Sequence, residues 1–179
     1  MLFLVLGMGL EGEAMTDPLT PAQRSAHMAR IRSGLRHNRF ERGVHELLKG
    51  NYVRHRMYPD IEPSMDVLVD TRAGPLFVAL DGCLWHACPD HYRRPKTNGE
   101  FWARHIEEQE RARQARRAGA DFPFVAVWEH LWRDPANRRA AVLGIIGAGI
   151  EKVESGAATR GPIEPTLEDL RAVWERWRK

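Results

Sequence analysis

The chain has 179 residues, 43% of them hydrophobic and 28% charged, a balance that fits a globular domain and excludes a disordered, collagen-like or disulfide-rich chain. A chain of this length buries a core without cross-links. The formal net charge is +3 and the pI is near 9.1, with basic residues gathered at Arg93, Arg94 and Lys96 and again at Arg111, Arg113, Arg116 and Arg117, which suits a phosphate backbone or a solvated helix face.

The first residues, Met1-Leu2-Phe3-Leu4-Val5-Leu6-Gly7, are apolar. The run is too short to span a bilayer and lacks the basic segment that precedes a signal-peptide core. Met15 is a sensible start, so residues 1–14 read as an upstream extension and 1–19 as disordered; a short membrane anchor is the lesser reading. Thr20-Pro21 starts a helix through Met28 and Ile31. Asn38 and Glu41 have capping-box spacing at the head of a second helix, with Phe40, Val44, Leu47 and Leu48 on its apolar face and Gly50 at its end. Tyr52 to Tyr58 alternates bulky and basic residues and predicts a strand. Met65 to Asp70 and Leu76 to Leu80 predict two more, joined by Ala73-Gly74-Pro75 as an antiparallel hairpin. Residues 83–97 form a loop rich in Cys, His and Pro. Asn98 is expected to cap a long charged helix ending at Gly119. Phe122 to Trp128 predicts a buried strand interrupted by Pro123. Asp134-Pro135 opens a helix with Val142, Ile145 and Ile146 apolar. Residues 156–165 read as a linker, and Thr166 starts a last helix with Leu167, Leu170, Val173, Trp174 and Trp177 on one face. This order predicts an α/β (α+β) fold, a mixed central sheet with helices packed on it.

Asp66 lies in an otherwise apolar strand, beside a hairpin whose second strand ends in Asp81. A carboxylate there costs free energy unless something pairs with it, and Mg²⁺ is a natural partner for hard oxygen ligands; a solvent-facing aspartate at a strand end is the competing reading. The run Asp81-Gly82-Cys83-Leu84-Trp85-His86-Ala87-Cys88-Pro89-Asp90-His91 is dense in metal-binding side chains. Two cysteines among histidines point to a metal in a reducing compartment rather than to a disulfide. Zinc favours tetrahedral Cys and His sets. Cys83, Cys88 and His91 supply three ligands and His130 is the best fourth, which leaves His86 for chemistry. Buried cysteines with surface histidines are the bland alternative.

With Pro95-Lys96, Asn98 and Phe101-Trp102 added, the run from Asp81 to Trp102 resembles the signature of the very-short-patch-repair (Vsr) endonucleases. Weaker matches follow in the right order: Ser25, Met28 and Ile31; Glu41-Arg42; Asp66-Val67-Leu68-Val69; and Val127-Trp128-Glu129-His130. The resemblance covers roughly residues 22–133. It implies a restriction-endonuclease-like fold with a structural zinc site on Cys83, Cys88, His91 and His130. It implies Asp66 as the principal Mg²⁺ ligand, the Leu80 backbone carbonyl as a second, and His86 as the general base or water-orienting group. Glu41 would hold a metal-bound water or help place His86, and Asp81 lies where the family carries His or Asp beside that water. Leu84 and Trp85 fall at positions where the family inserts side chains into the base stack, opposed by Met28 and Ile31, and Lys96 belongs to the DNA-binding set.

The chain departs from the family on the long helix. His105 and Gln109 stand where the family reads a thymine–guanine mismatch, and Ala112 and Arg113 replace an Arg-Asp pair, which leaves Glu108 or Glu110 as substitute acids or none. The expectation is a monomeric, cytoplasmic, nucleoid-associated nicking endonuclease with catalytic Mg²⁺ and structural Zn²⁺. It acts on mismatched or distorted double-stranded DNA and uses no membrane. The nuclease domain would span 20–135, with C-terminal helices over 136–179 beside it. A homing or restriction-associated nuclease and a non-catalytic zinc-stabilised DNA-binding module are the alternatives.

Overall fold

A computed structural model of the chain describes residues 38–177, together with Thr20 and Gln23. Of the expected first helix, Thr20 and Gln23 are described and cap reciprocally, the Gln23 N–H donating to the Thr20 hydroxyl and the Thr20 N–H to the Gln23 side chain; Met28 and Ile31 lie outside the described residues. The elements are α1 (Arg39–Gly50), β1 (His55–Met57), β2 (Val67–Asp70), β3 (Pro75–Asp81), α2 (Gly99–Gly119), β4 (Pro123–Trp128), α3 (Glu129–Arg133), α4 (Arg138–Glu154), β5 (Gly161–Pro162) and α5 (Leu167–Trp177). The strands form one five-stranded sheet in the order β1-β2-β3-β4-β5. The pairs β1–β2 and β2–β3 are antiparallel, and β3–β4 and β4–β5 are parallel. This is the mixed sheet with flanking helices that the element order predicts.

Strand alternation decides which residues meet, because successive side chains point to opposite faces. Val67 and Val69, Leu76, Val78 and Leu80, and Val125 and Val127 share one face. They pack there with Phe40, Val44 and Leu48 of α1 and with Val142, Leu143 and Ile146 of α4. Leu68, Phe77, Ala79 and Phe124 share the other face with Met65 and Ala120. Asp81 continues the Phe77–Ala79 row, so it faces α2, whose Arg116 lies over the Phe124 ring at 5.8 Å. That parity turns the end of β3 into a polar site.

Element ends differ from expectation for local reasons. Tyr52 and Tyr58 have φ of 58° and 52°, a left-handed conformation that ends an extended run, so the strand shrinks to His55–Met57. Asn98 caps α2 through its carbonyl, which accepts from the Trp102 N–H at 3.1 Å, and not through its side chain; its own φ is 56°, which asparagine tolerates well. Pro123 begins β4 rather than interrupting it. Asp134 accepts from the Ala136 N–H in a turn ahead of α4, which begins at Arg138. The linker contributes the edge strand β5, held by Gly161 N–H to Phe122 and Ile163 N–H to Phe124. Thr166 and Asp169 cap α5 reciprocally; Val173 is buried and Leu167 is exposed.

Gly43 of α1 meets the Trp132 indole so closely that a Cβ would lie 2.0 Å from Cζ2. Trp132 is also held by Phe40, at 6.3 Å between ring centroids, and by Arg138. Gly43→Ala is expected to cost roughly 1–3 kcal/mol, overpacking outweighing alanine's better helix propensity. Urea denaturation followed by tryptophan fluorescence checks this; a gain in stability would contradict the contact.

Candidate active site and metal centre

Three carboxylates reach one end of the sheet. Asp66 precedes β2, and its Oδ2 accepts the Leu80 N–H at 2.7 Å. Asp81 ends β3 and is 2% exposed. A carboxylate so enclosed needs a cation, and Arg116 of α2 provides one: Nη2 lies 3.0 Å from Oδ2, and both Nη1 and Nη2 lie 3.4 Å from Oδ1. Glu41 comes from the first turn of α1, where its N–H donates to the Asn38 side chain at 2.9 Å, the expected capping contact. The Tyr58 hydroxyl donates to Glu41 Oε2 at 2.5 Å.

Burial pushes Asp66 up to about 6, and the neighbouring charges of Glu41 and Asp81 push the same way; the Leu80 N–H and Arg116 oppose them. Tyr58 is raised by burial and by its bond to Glu41. A desolvated carboxylate that its neighbours repel is the environment a bound cation relieves, and an all-oxygen donor set suits a hard divalent ion.

His86 hangs from the loop after β3, its Nδ1 3.8 Å from Asp81 Oδ1. Burial holds it below the ordinary histidine range, as do Arg116 and Arg113, while Asp81 and a hydrogen bond with Gln109 act in the opposite direction. The ring is therefore neutral near pH 7 and able to accept a proton. Arg113 donates to the His86 carbonyl and to Glu110, and its guanidinium lies 5.7 Å from the Trp128 ring centroid. Glu110 is thus engaged with Arg113, Glu108 is exposed, and the carboxylate beside His86 is Asp81. A groove of about 520 Å³ opens next to His86, lined also by Glu62, Ser64, Gln109 and Arg113.

The Cys and His residues gather behind this site. Ligand atoms of Cys83, Cys88, His91 and His130 lie within 4.8 Å of one another. Cys83 Sγ and Cys88 Sγ are each 3.5 Å from His130 Nδ1, and Cys88 Sγ is 3.7 Å from His91 Nδ1. A tetrahedron with zinc bonds of about 2.0–2.3 Å has edges of about 3.3–3.8 Å, so the donor set fits a closed zinc site. The loop folds tightly: Cys88 N–H bonds to the Cys83 carbonyl at 2.9 Å, and Ala87 takes φ 49°. Glu129 of α3 accepts the Cys83 N–H at 3.1 Å. Burial raises the Cys83 thiol in the metal-free protein and lowers His130; a bound cation would reverse the first, and the second leaves His130 in its ligating neutral form.

The residues expected to face DNA separate. Leu84 and Trp85 are 45% and 43% exposed, and Lys96 is exposed. Gln109 is half-buried at the groove. His105 is buried: its Nε2 lies 2.8 Å from the Trp85 carbonyl, and its ring sits among Trp85, Phe101 and Trp102. The sequence reading missed Tyr58, Glu129 and the inward roles of Arg113 and Arg116. A signal for the arginines existed, since His105, Gln109, Arg113 and Arg116 are spaced to share one helix face; charge clustering drew attention to phosphate instead.

No family model matches the chain. Over 78 residues it is 33% identical to the Type II nicking enzyme V.NaeI of Lentzea aerocolonigenes. The match covers 42% of this chain and 46% of that enzyme, so the chain spans about half the length of the relative it matches. It is a distant homologue of a nicking enzyme. No helix among the described residues is long and apolar enough to cross a membrane.

Two outcomes test the site directly. Purified protein should contain one zinc per chain, and Cys88→Ser should lose it together with on the order of 3–5 kcal/mol of stability; metal analysis with thermal unfolding decides, and a zinc-free, equally stable wild type refutes the centre. Asp66 titrates higher folded than unfolded, so the folded metal-free protein binds more protons between about 4 and 6, and Asp66's contribution to stability is lost as pH rises through that window. Asp66→Asn should therefore stabilise the metal-free protein by roughly 1–3 kcal/mol at pH 7.5 and have little effect below pH about 4, measured by denaturant unfolding at both pH values.

Proposed function

We propose that the chain is a Mg²⁺-dependent endonuclease that nicks one strand of double-stranded DNA at a mismatched or distorted site, in the manner of very short patch repair. The observation that carries this reading is the convergence of Asp66, Asp81, Glu41 and His86 at one sheet end, beside a loop held by a Cys₂His₂ cluster. The homology to a nicking enzyme supports it.

In this reading Asp66 and the Leu80 carbonyl hold Mg²⁺; that carbonyl shares with its N–H the edge of β3 that faces Asp66. Bound there, Mg²⁺ would supply Lewis acidity toward the scissile phosphate. Glu41, steadied by Asn38 and Tyr58, accepts hydrogen bonds from water near Asp66. Neutral His86 takes the proton of the attacking water on Nε2, the ring nitrogen remote from Asp81. Zinc on Cys83, Cys88, His91 and His130 fixes the loop bearing Leu84, Trp85 and His86. The half-exposed Trp85 and Leu84 act as the wedge, entering the stack most readily where a base pair is already weak. Met28, Ile31 and Lys96 complete the DNA contacts. The nuclease chemistry resides in 20–135, and the protein acts as a cytoplasmic monomer.

One observation favours a second reading. His105 stands where the family reads the mismatch, yet it is packed under Trp85 and bonded to its carbonyl, so of the two mismatch-reading positions only Gln109 reaches the groove. A restriction-associated nickase with the same catalytic core and a different recognition site fits that change.

The deciding experiment is a strand-specific nicking assay with Mg²⁺ on a duplex carrying a thymine–guanine mismatch and on its fully paired counterpart, with Asp66→Ala as control. Nicking of the mismatched duplex alone, abolished in Asp66→Ala while DNA binding persists, is expected. Equal cutting of both duplexes shifts the reading to the restriction-associated enzyme. Binding without cutting, across duplexes of varied sequence, makes the chain a DNA-binding module.

A further inference from the structure

Arg116 is placed where a solvated helix residue would not be. Its side chain is 14% exposed, its two terminal nitrogens lie 3.0–3.4 Å from the Asp81 carboxylate, and its guanidinium covers the Phe124 ring. Its Nε is buried without a partner among the described residues. Asp81 in turn presents Oδ1 to Nδ1 of His86 at 3.8 Å. Arg116 of α2 thus pairs with Asp81 at the end of β3, and the same carboxylate faces the imidazole in the loop at 3.8 Å, a spacing that a small closure of the loop would bring to hydrogen-bond distance.

We infer that Arg116 is a positioning residue for strand cleavage: it locks Asp81 so that the carboxylate holds Nδ1 of His86 inward and leaves Nε2 toward the groove. The inference rests on the nuclease reading above. The planar guanidinium fork fixes both position and rotation of a carboxylate, which a lysine ammonium does less well. Without the fork, Asp81 would be a buried, uncompensated charge near Asp66, free to take a proton or to turn toward a cation held there. Arg113, one turn earlier on α2, bonds to the His86 carbonyl, and Gln109 lines the groove beside His86. One helix face therefore holds both the backbone of His86 and the carboxylate that faces its ring. The carboxylate partner of His86 comes from the sheet, and the helix supplies the cation that fixes it. A direct phosphate contact is the competing role for Arg116, which also lines the groove; its engagement by the Asp81 carboxylate opposes that role.

Steady-state nicking, with duplex affinity measured in EDTA, tests this in Arg116→Met, Arg116→Lys, Asp81→Asn and the double variant Asp81→Asn/Arg116→Met. The double variant leaves no orphan charge at the pair and keeps the comparison available where Arg116→Met fails to fold. Arg116→Met is expected to lower kcat about 10- to 100-fold with KM and Kd within about twofold of wild type, and Arg116→Lys should recover part of the loss. In the Asp81→Asn background, Arg116→Met should cause no further loss, because Arg116 acts through Asp81. A raised KM with weakened salt dependence in Arg116→Met would make Arg116 a phosphate contact and overturn the inference, as would an undiminished effect in the Asp81→Asn background. A readout independent of turnover is the ring ¹⁵N shift pattern of His86 in DNA-free protein. It should report a single tautomer protonated on Nδ1 in wild type and a mixture in Arg116→Met and Asp81→Asn. Should wild type fail to nick any duplex, the nuclease reading falls, and the ring shifts alone decide the positioning role: an unchanged tautomer in both variants refutes it.

Discussion

Charge buried at the end of a sheet is the constraint on which the rest of this protein depends. Asp81 is almost wholly enclosed, Asp66 is desolvated enough to titrate near 6, and Glu41 adds to the repulsion. A fold keeps such groups only when cations compensate them. Here Arg116 compensates Asp81 directly, whereas Asp66 has the Leu80 N–H and a more distant Arg116, and burial still disfavours its ionised form. The asymmetry separates a carboxylate fixed by an arginine from one whose charge is left for the proposed cation to compensate.

The chain separates two kinds of cation chemistry over a short stretch of sequence. Oxygen donors at the strand ends suit a hard, exchangeable ion, while thiol and imidazole donors in the following loop suit zinc. The separation has a mechanical use. A loop that carries a half-exposed tryptophan and His86 has little hydrophobic packing of its own, and a zinc ion on four residues drawn from the loop and from α3 would replace that packing. Glu129 and the left-handed turn at Ala87 shape the loop around those ligands.

Helix α2 joins these parts. Few of its residues are buried in an apolar core; its inward face is instead polar and aromatic, with His105 under Trp85, Gln109 and Arg113 at His86, and Arg116 on Asp81. A helix attached by specific polar contacts transmits position more than it adds hydrophobic stability.

The periodic segments were legible in the sequence. The Asn38–Glu41 cap, the apolar hairpin, the charged helix and the last buried strand each follow from local patterning, which needs no partner to be recognised. The density of Cys and His around His86 likewise marked the metal loop, because few other reasons place those residues so close together. Asp66 stood out as a charge in an apolar strand. What local pattern could not decide was direction. Whether Arg116 faces solvent or Asp81, and whether His105 faces a groove or lies beneath Trp85, depends on which face of α2 meets the sheet. That contact joins residues far apart in the chain. The short β5 and α3 were hidden for a related reason: they are too brief to carry a period and exist because β4 and the metal cluster hold them. Sequence thus determined the chemical inventory and most of the elements, while tertiary structure decided which charges became partners, since pairing is set by strand parity and helix placement rather than by neighbours along the chain.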